Sequence, residues 1–335
     1  MRKKIVISFL LIVFSGITAC TQSPDCSRED VFCAALVTDT RGINDYGINQ
    51  DTWAGLTQSK DDGVINQTAY IESVDARDYE KNISFFAAAG YDVVVTSGIG
   101  LRDATLRSAD LHPDTVFIGM NQAEVEPVPN FISVTFPEDQ MGFLAGVLAA
   151  SLTRTNKVGG VCETSGIASM WRYCEGFRAG ANYINDSVHV FVIYRDDGSN
   201  DSLFNDEVWG AESAQEIINE GADVIFAAGG ETGAGALRAA AKLKVLAIGA
   251  ERDQAAALAE EGSSVIASIF GRASFTIQGV MRRVRDGNLA DAIMSPIGFV
   301  TSDSVVPNDL VVQMDELLTG LENGEIKTNI PDEKP

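Results

Sequence analysis

The chain has 335 residues, of which 45% are hydrophobic, so it is long enough for two domains with substantial cores. Its 47 acidic and 25 basic side chains give a formal charge of −22 at pH 7. Such an acidic surface excludes nucleic acid as an expected partner, because nucleic-acid binding requires basic patches. It also disfavours a strongly anionic ligand, unless a local basic pocket binds it.

The N-terminus has the pattern of an export signal. Three basic residues at 2–4 precede an apolar stretch at 5–17, which is shorter than the roughly 20 residues of a membrane-spanning helix. The stretch ends in ITAC, with Cys20 after small residues, and this resembles a bacterial lipoprotein signal. We therefore expect removal of residues 1–19, a lipid on Cys20, and a tether over residues 20–30. An ordinary signal peptide with a chance cysteine is the alternative.

Four further cysteines follow Cys20, and an even number in an exported chain predicts disulfides. They are Cys26, Cys33, Cys162 and Cys174. Pairing of near neighbours in sequence, the first with the second and the third with the fourth, is favoured over the other pairings. No CxxC motif occurs, so we expect neither a metal site nor a cofactor.

From residue 31 onward, short apolar runs alternate with amphipathic stretches, which predict buried strands and helices in turn. The predicted strands lie at 31–37, 64–73, 91–98, 115–121, 130–136, 157–162, 188–194, 222–228, 244–250 and 264–270. The predicted helices lie at 50–60, 78–89, 137–152, 170–184, 207–220, 237–243 and 273–285. Strands that alternate with helices imply a largely parallel sheet. The similar segments YDVVVTSGIG (91–100) and ADVIFAAGGETG (222–233) indicate two α/β lobes with a cleft between them.

A polar loop, TDTRGINDYGINQDTWAGL (38–56), follows the first predicted strand. Before its predicted helix the loop carries amide and carboxylate side chains that can hydrogen-bond, among them Asp39, Asn44, Asp45, Asn49 and Gln50. Small ligands commonly bind at the carboxyl ends of strands in α/β proteins, so the loop is a candidate binding loop. A plain strand-to-helix connection, capped by an Asn or Asp, explains the same residues.

Six segments follow one another along the chain in a characteristic order: the loop 38–56, FPEDQMGFLAGVLAASLTRTNKVGGV (136–161), YCEGFRAG (173–180), SLFND (202–206), GADVIFAAGGETGAG (221–235) and IGAERDQ (248–254). This ordered series resembles the basic membrane protein family of nucleoside-binding lipoproteins. The resemblance implies a type I periplasmic-binding fold, with two Rossmann-like parallel-sheet lobes. Three hinge crossings, near Phe136, Ser268 and Pro296, would join the lobes and let them close around a ligand.

The resemblance also implies lobe boundaries, partners and a location. The N-terminal lobe would comprise 31–136 and 268–295, the C-terminal lobe 137–267 and 296–326, and the acidic end 327–335 would be a solvated tail. The protein would be a monomeric receptor, exported and anchored to the cell membrane through Cys20. It would deliver a small molecule, a nucleoside or a related heterocycle, to an ABC permease and its ATPase. An enzyme is not expected, since the chain has two histidines and no GxSxG motif.

The resemblance assigns roles to individual residues of this sequence. Asp39 would accept hydrogen bonds from the ligand, Asn49 would lie beside its base, and Phe204 would stack on that base. The backbone N–H groups of Gly229 and Gly230 would face the sugar at a helix N-terminus.

Two aromatic positions of the family pattern are aliphatic here. Ile48 stands where a second stacking ring is expected, and Ile99 stands where an aromatic residue follows Gly98. Loss of one ring of an aromatic sandwich removes about 1–3 kcal/mol of stacking free energy. The resemblance therefore implies a weakened or redirected nucleoside site.

Several polar positions also depart from the family pattern. Asn121 replaces an acid, and Glu251 replaces the ribose-binding aspartate with a side chain one methylene longer. The family lysine is absent, with Gly271 or Arg272 in its place, and Arg272 would restore the charge if it faced the cleft. A non-nucleoside solute, or a receptor that serves a membrane sensor instead of an importer, are the alternatives that remain open.

Overall fold

The computed structural model describes residues 25–123, 126–195, 202–289 and 292–335. Within these ranges the chain forms two α/β lobes, each built on a six-stranded sheet. The predicted signal peptide and Cys20 lie outside the described residues. Among the helices in these ranges, none combines the length and apolar character that a bilayer span requires.

The first lobe is a parallel sheet with helices on both faces. Its strands are β1 (Cys33–Thr38), β2 (Gln67–Glu72), β3 (Val93–Ser97), β4 (Val116–Met120), β5 (Phe131–Thr135) and β11 (Ala292–Met294). Its helices are α1 (Ile48–Asp61), α2 (Tyr79–Ala88), α3 (Arg102–Leu111) and α9 (Ala273–Arg285). The strand order is β11-β5-β4-β3-β1-β2, and all paired strands are parallel. Successive residues of β1 pack into different hydrophobic clusters, which places core on both faces of the sheet.

The second lobe repeats this arrangement with one difference at its edge. Its strands are β6 (Lys157–Cys162), β7 (His189–Ile193), β8 (Val224–Ala228), β9 (Leu246–Ala250), β10 (Val265–Gly271) and β12 (Ile297–Thr301). Its helices are α4 (Glu138–Leu152), α5 (Ala168–Ile184), α6 (Glu207–Asn219), α7 (Gly230–Leu243), α8 (Gln254–Leu258) and α10 (Asn308–Glu322). The order is β12-β10-β9-β8-β6-β7, with β12 antiparallel to β10 and the other pairs parallel. The two parallel-sheet lobes predicted from the sequence are confirmed.

Helices α4 and α5 approach so closely that only glycine fits at their contact. A Cβ on Gly142 or Gly146 of α4 would lie 2.1 or 2.0 Å from a backbone carbonyl oxygen of α5. A Cβ on Gly176 or Gly180 of α5 would lie 2.2 or 1.9 Å from a carbonyl oxygen of α4. These glycines let the two backbones touch, and alanine at any of them would force the helices apart.

The segment GGETGAG (229–235) was predicted to be a turn before a helix at 237–243, and this is wrong. Helix α7 begins at Gly230, so most of the segment is helical. A Cβ on Gly235 would lie 2.2 Å from the carbonyl oxygen of Glu207 on α6. Glycine is therefore required here because α6 packs closely on α7. The glycine-rich composition, which is typical of a turn, belongs in this case to a helix.

Three crossings join the lobes in the described residues. They lie between β5 and α4, between β10 and α9, and between β11 and β12. The second follows Gly271 and not Ser268, because β10 stays paired with β12 of the second sheet as far as Gly271. Residues 268–271 thus belong with the second sheet. A Cβ on Gly271 would lie 2.1 Å from the ring of Phe136, so the first and second crossings pack directly on each other.

Two disulfides are present, one in each lobe. Cys26 is bonded to Cys33 just before the first sheet begins, and Cys162 is bonded to Cys174, which ties the end of β6 to α5. Both bonds join near neighbours in sequence, at separations of 7 and 12 residues.

The C-terminal residues 327–335, predicted to be a solvated tail, lie along the second lobe and make polar contacts with it. Thr328 donates a hydrogen bond to the carboxylate of Asp139 in the first turn of α4. Lys334 Nζ donates to Ser165 Oγ at 2.8 Å. Most side chains of the segment are exposed, so polar contacts and not burial hold it in place.

Candidate functional site

A cavity lies between the two lobes, at the ends of several strands. The empty space between its walls, including the part open to solvent, is about 650 Å³. Six of the ten predicted ligand-binding residues line it: Asp39, Ile48, Gly98, Asn121, Phe204 and Glu251. The other four lie outside its lining: Asn49, Gly229, Gly230 and Arg272.

The polar lining residues follow strands directly. Asp39 follows β1, Gly98 follows β3, Asn121 follows β4, and Glu251 follows β9. Parallel strands end at the same edge of a sheet, so residues far apart in sequence meet there. The cavity is therefore formed by the carboxyl ends of both sheets.

Asp39 is bound by its own loop. Its Oδ1 accepts hydrogen bonds from the backbone N–H of Arg41 at 3.1 Å and from Asn49 Nδ2 at 2.9 Å. Its Oδ2 accepts from Arg41 Nε at 2.8 Å and lies 2.7 Å from Arg41 Nη2. Gly98 provides room for this carboxylate, since its φ is +113° and a Cβ there would lie 2.6 Å from Oδ2.

Asn49 does not reach the cavity, contrary to the role expected beside a base. Its Nδ2 donates to Asp39 and to the carbonyl oxygen of Gly42, both at 2.9 Å. The side chain is fully buried behind the loop. Asn49 therefore positions Asp39 and does not face the ligand.

Asp45 fixes the start of helix α1 from within the same loop. Its two carboxylate oxygens accept from the backbone N–H groups of Gly47, Asn49 and Gln50 at 3.0–3.2 Å. Burial raises the pKa of Asp45, against the opposing effect of Arg41. This carboxylate caps the helix, as the alternative interpretation of the loop anticipated, while the neighbouring residues line the cavity.

Glu251 occupies the N–H groups that were expected to face a sugar. Its Oε2 accepts from Gly230 N at 2.8 Å and from Gly229 N at 3.3 Å, at the N-terminus of α7. Burial raises the pKa of Glu251, and these two hydrogen bonds oppose that rise. The expected role of Gly229 and Gly230 is therefore corrected: the longer acidic side chain reaches the helix end and takes both donors.

Phe204 faces the cavity from the second lobe and is covered by a cation. The guanidinium carbon of Arg41 lies 4.8 Å from the centroid of its ring, which is cation–π distance. Ile48 and Ile99 line the cavity from the first lobe, so this wall offers aliphatic contact where the family pattern has rings. Phe204 has a φ of +64°, and its carbonyl oxygen accepts from Glu231 N at 3.1 Å.

Asn121 lines the cavity in a left-handed backbone conformation, with φ of +58°. Asparagine tolerates this region better than most residues. Its backbone N–H donates to the carbonyl oxygen of Val134 at 2.8 Å, which holds the residue at the strand end.

Arg272 lies outside the cavity, which corrects the suggestion that it supplies a missing cationic charge. It is exposed, and its guanidinium carbon lies 4.5 Å from the ring centroid of Phe275, itself 55% exposed. The residue follows the end of β10, where the chain leaves the second lobe, and its side chain points to solvent.

Several lining residues were not identified from the sequence. They are Arg41, Phe136, Glu138, Ile167, Ser169, Met170, Tyr173 and Ala273. Arg41 stands two residues after Asp39. An arginine so close in sequence to a buried acid was the signal from which Arg41 could have been identified. Glu138 lies in the first turn of α4, where the helix dipole is enough to explain an acid, so its position in the sequence did not indicate a binding site. The apolar residues gave no signal, because core and cavity positions have the same composition.

Glu138 has an unusual environment among the carboxylates of the cavity. It is 4% exposed, and its Oε2 lies 3.5 Å from Arg172 Nη1. Burial raises its pKa to about 7, and the attraction of Arg172 only partly offsets this. Near neutral pH the group can thus donate or accept a hydrogen bond.

Polar contacts hold the two lobes together beside the cavity. Gln254 Nε2 donates to the carbonyl oxygen of Tyr46 at 2.9 Å. Arg252 Nη2 lies 3.4 Å from Asp51 Oδ1, an ion pair whose side chains are less than one-fifth exposed. These contacts join the loop 39–51 of the first lobe to the second lobe and close the cavity on that side.

The arrangement is suited to binding. The described residues contain no group of three or more His, Cys, Asp and Glu placed to hold a metal ion. Carboxylates, an arginine and an asparagine offer hydrogen bonds, while Phe204, Ile48 and Met170 offer apolar contact. A mostly apolar cavity with a few convergent polar groups is the usual form of a small-molecule site.

Comparison with known proteins connects this geometry to a family. The model of the family described as Bmp, ABC transporter substrate-binding protein PnrA-like, matches residues 32–289. A Lactococcus lactis subsp. cremoris protein named ABC transporter nucleoside-binding protein BmpA is 30% identical over 274 residues, which cover 76% of this chain and 75% of that protein. A Listeria innocua protein named CD4+ T-cell-stimulating antigen is 27% identical over 366 residues, covering 100% of this chain and 99% of that protein.

A solved structure supports the same relationship. The ABC transporter system solute-binding protein from Conexibacter woesei has a TM-score of 0.72 and 25% identity, and the match covers 90% of this chain and 99% of that one. The family match spans well over half of the chain, and both lobes of the fold are included. The chain therefore belongs to the PnrA-like family of ABC transporter substrate-binding proteins, and it is a binding protein and not an enzyme.

Proposed function

We propose that this protein is a lipid-anchored receptor that captures a nucleoside, or a related small heterocycle, for an ABC importer. The observation that carries the proposal is the interlobe cavity in which Phe204 of one lobe and Ile48 of the other face the same space. A flat ring between them would be held by stacking on one face and aliphatic contact on the other. The name of the Lactococcus lactis relative, a nucleoside-binding protein, supports the same ligand class.

Closure of the lobes is the step that would trap the ligand. The contacts of Gln254 with Tyr46 and of Arg252 with Asp51 join the lobes without passing through the cavity. A ligand that touches both walls adds to them, and it favours the closed state by the difference between its affinities for the closed and open states. The ligand-bound, closed form is the one we expect an importer to recognise.

The ligand assignment can be tested on the purified mature chain without lipid. A nucleoside at about 100 times its dissociation constant should raise the free energy of unfolding by about 2.7 kcal/mol, visible as a higher melting temperature. Phe204→Ala should weaken nucleoside binding roughly tenfold or more, because base stacking contributes about 1–3 kcal/mol. Phe275→Ala is the matched control, since that ring is 55% exposed and outside the cavity, and it should bind as the wild type does.

The possible outcomes distinguish an error in the ligand assignment from an error in the receptor role, and an effect on binding from an effect on folding. If no nucleoside or nucleobase stabilises the wild type, while a different small solute does, the nucleoside assignment is wrong and the receptor role stands. Equal weakening by both phenylalanine variants would show that Phe204 acts through folding and not through the ligand.

The anchor has its own test. Cys20→Ser should prevent lipid attachment, so in the expressing bacterium the exported protein should move from the membrane fraction to the soluble fraction. Wild-type membrane retention in that variant would contradict anchoring through Cys20.

A further inference from the structure

Arg41 is the one cationic side chain among the described residues that line the cavity. It comes from the loop after β1, and its guanidinium carbon lies 4.8 Å from the centroid of the Phe204 ring. A ring that stacks near Phe204 will therefore meet this guanidinium as well. Arg41 has no role in the function proposed above, and the sequence pattern did not single it out.

The carboxylate that binds Arg41 is engaged mainly by its own loop. A carboxylate offers about four lone-pair sites. Asp39 accepts hydrogen bonds from the Arg41 backbone N–H, Asn49 Nδ2 and Arg41 Nε at 2.8–3.1 Å, and its Oδ2 forms an ion pair with Arg41 Nη2 at 2.7 Å. Asp39 thus acts as the positioning residue for Arg41, and a ligand at this wall meets donors instead of acceptors.

One end of the guanidinium remains open. Nε and Nη2 face Asp39, whereas Nη1 lies 3.8 Å from the nearest carboxylate oxygen, Asp45 Oδ2, beyond hydrogen-bond distance. Among the described residues no hydrogen bond to Nη1 is formed. The Nη1–Nη2 end of an arginine is planar and can donate two parallel hydrogen bonds.

The charge of the surrounding wall selects a neutral partner for this end. Three carboxylates, those of Asp39, Glu138 and Glu251, line the same cavity as Arg41. Asp39 already neutralises Arg41, so an anion would find no unpaired positive charge here, and the matching group is an uncharged pair of acceptors. A 6-oxopurine presents such a pair, its O6 and N7, and arginine binds that pair in a bidentate way. Adenine presents an amino group in place of O6, and that group donates.

We propose that Arg41 is a specificity-determining residue, which makes the cleft select heterocycles with two adjacent acceptors, the 6-oxopurine edge, over those with an amino edge. The proposal rests on the nucleoside-binding function above and adds which edge of the base is read. Arg41 binds the edge, Asp39 holds Arg41, and Phe204 contacts the face of the same ring.

The test is calorimetric titration of the mature, delipidated chain with guanosine, 7-deazaguanosine and adenosine. Guanosine should bind roughly tenfold tighter than adenosine, and 7-deazaguanosine, which lacks the N7 acceptor, should lose a similar factor. Arg41→Lys keeps the charge but not the planar fork, so it should reduce both preferences to about threefold or less. Arg178→Lys is the matched control: it alters an arginine that is ion-paired with Glu175 on α5, outside the cavity lining, and should leave the ratios unchanged.

Each result decides the matter. Equal affinity of the wild type for guanosine and adenosine overturns the inference while the nucleoside function stands. So does an unchanged guanosine-to-adenosine ratio in Arg41→Lys. Absence of binding for all three nucleosides overturns the inference together with the nucleoside function. Melting temperatures of both variants within the range of the wild type establish that changed ratios do not arise from unfolding.

Discussion

In both lobes a carboxylate at the end of a strand is held beside a glycine turn, but different groups bind it in the two lobes. In each lobe a central strand ends at a glycine with a left-handed backbone, Gly98 with φ of +113° and Gly229 with φ of +115°. In each lobe a carboxylate from a different strand end lies against that turn. In the first lobe the carboxylate, Asp39, is bound by the side chain of Arg41. In the second, Glu251 is bound by backbone N–H groups at the start of α7.

The difference determines what each wall offers to a ligand. In the second lobe, Glu251 accepts hydrogen bonds from the backbone N–H groups of Gly229 and Gly230, so these donors are not available to a ligand. The second lobe therefore offers a ligand the ring of Phe204. In the first lobe, the Arg41 side chain that binds Asp39 still has N–H groups without an acceptor among the described residues. The first lobe therefore offers a ligand the guanidinium of Arg41. Two similar strand–glycine segments thus form two different cavity walls. One can hydrogen-bond the edge of a bound ring, and the other can stack on its face.

The largest expected effect comes from removing Asp39. Asp39→Ala leaves the largely buried Arg41 guanidinium without its main counter-charge. Breaking a buried pair on one side costs about 3 kcal/mol, toward the lower end of the known scale here because Asp45 remains 3.8 Å away. Urea unfolding of Asp39→Ala and the wild type at pH 7 measures this difference. A loss below about 1 kcal/mol would mean that Arg41 does not depend on Asp39.

A second effect concerns Glu138, a cavity carboxylate whose pKa burial raises to about 7. In the unfolded chain its pKa lies near the usual 4.5, so between these values the folded state holds a proton that the unfolded state has lost. Stability therefore falls as pH rises from about 4.5 to 7. Asp51, whose pKa burial raises to about 6, contributes in the same direction.

Glu138→Gln isolates this contribution. The melting temperature of the variant should decline less than that of the wild type between pH 5 and pH 7.5. Because Asp51 titrates in both proteins, the difference between the two profiles reports Glu138 alone. Parallel profiles would place the pKa of Glu138 near its ordinary value and remove its role as a neutral donor in the cavity.

The smallest expected effect lies in the second lobe. Glu251→Ala leaves the N–H groups of Gly229 and Gly230 without their acceptor, a change comparable with loss of a helix cap, about 1 kcal/mol. Glu231→Ala, which removes an acid from the first turn of the same helix without touching those N–H groups, is the control in urea unfolding. A loss for Glu251→Ala as large as that for Asp39→Ala would abolish the contrast drawn between the lobes.

The sequence predicts the architecture well because burial periodicity and strand–helix alternation reflect the whole fold. It fails where one composition serves two structures. GGETGAG has the residues of a turn, yet it is helical because α6 packs against its glycines. The short strands β11 and β12 and the helices α3, α8 and α10 were not predicted. Elements of three to ten residues carry little periodic signal, whereas α10 has 15 residues and was missed despite its length.

The sequence predicts where the site lies better than it predicts which groups the side chains of the site bind. The strand-end rule and the resemblance locate Asp39, Asn121, Phe204 and Glu251 in the cavity lining. Neither indicates that Asp39 and Glu251 are bound within the chain, because side-chain reach depends on tertiary geometry. One extra methylene in Glu251 and one arginine at position 41 redirect both acids, and no local pattern encodes that outcome.

The position of β1 has a mechanical consequence. The chain enters this strand at Cys33, and the cavity begins just beyond its other end, at Asp39, six residues later. At a rise of about 3.3 Å per residue, the point of entry and the ligand are about 20 Å apart, on opposite sides of the first lobe. Under the proposed anchoring through Cys20, the attachment would hold the first lobe on the side opposite the cavity. The opening of the cavity would then stay clear of the membrane tether, and the second lobe could move without pulling on it.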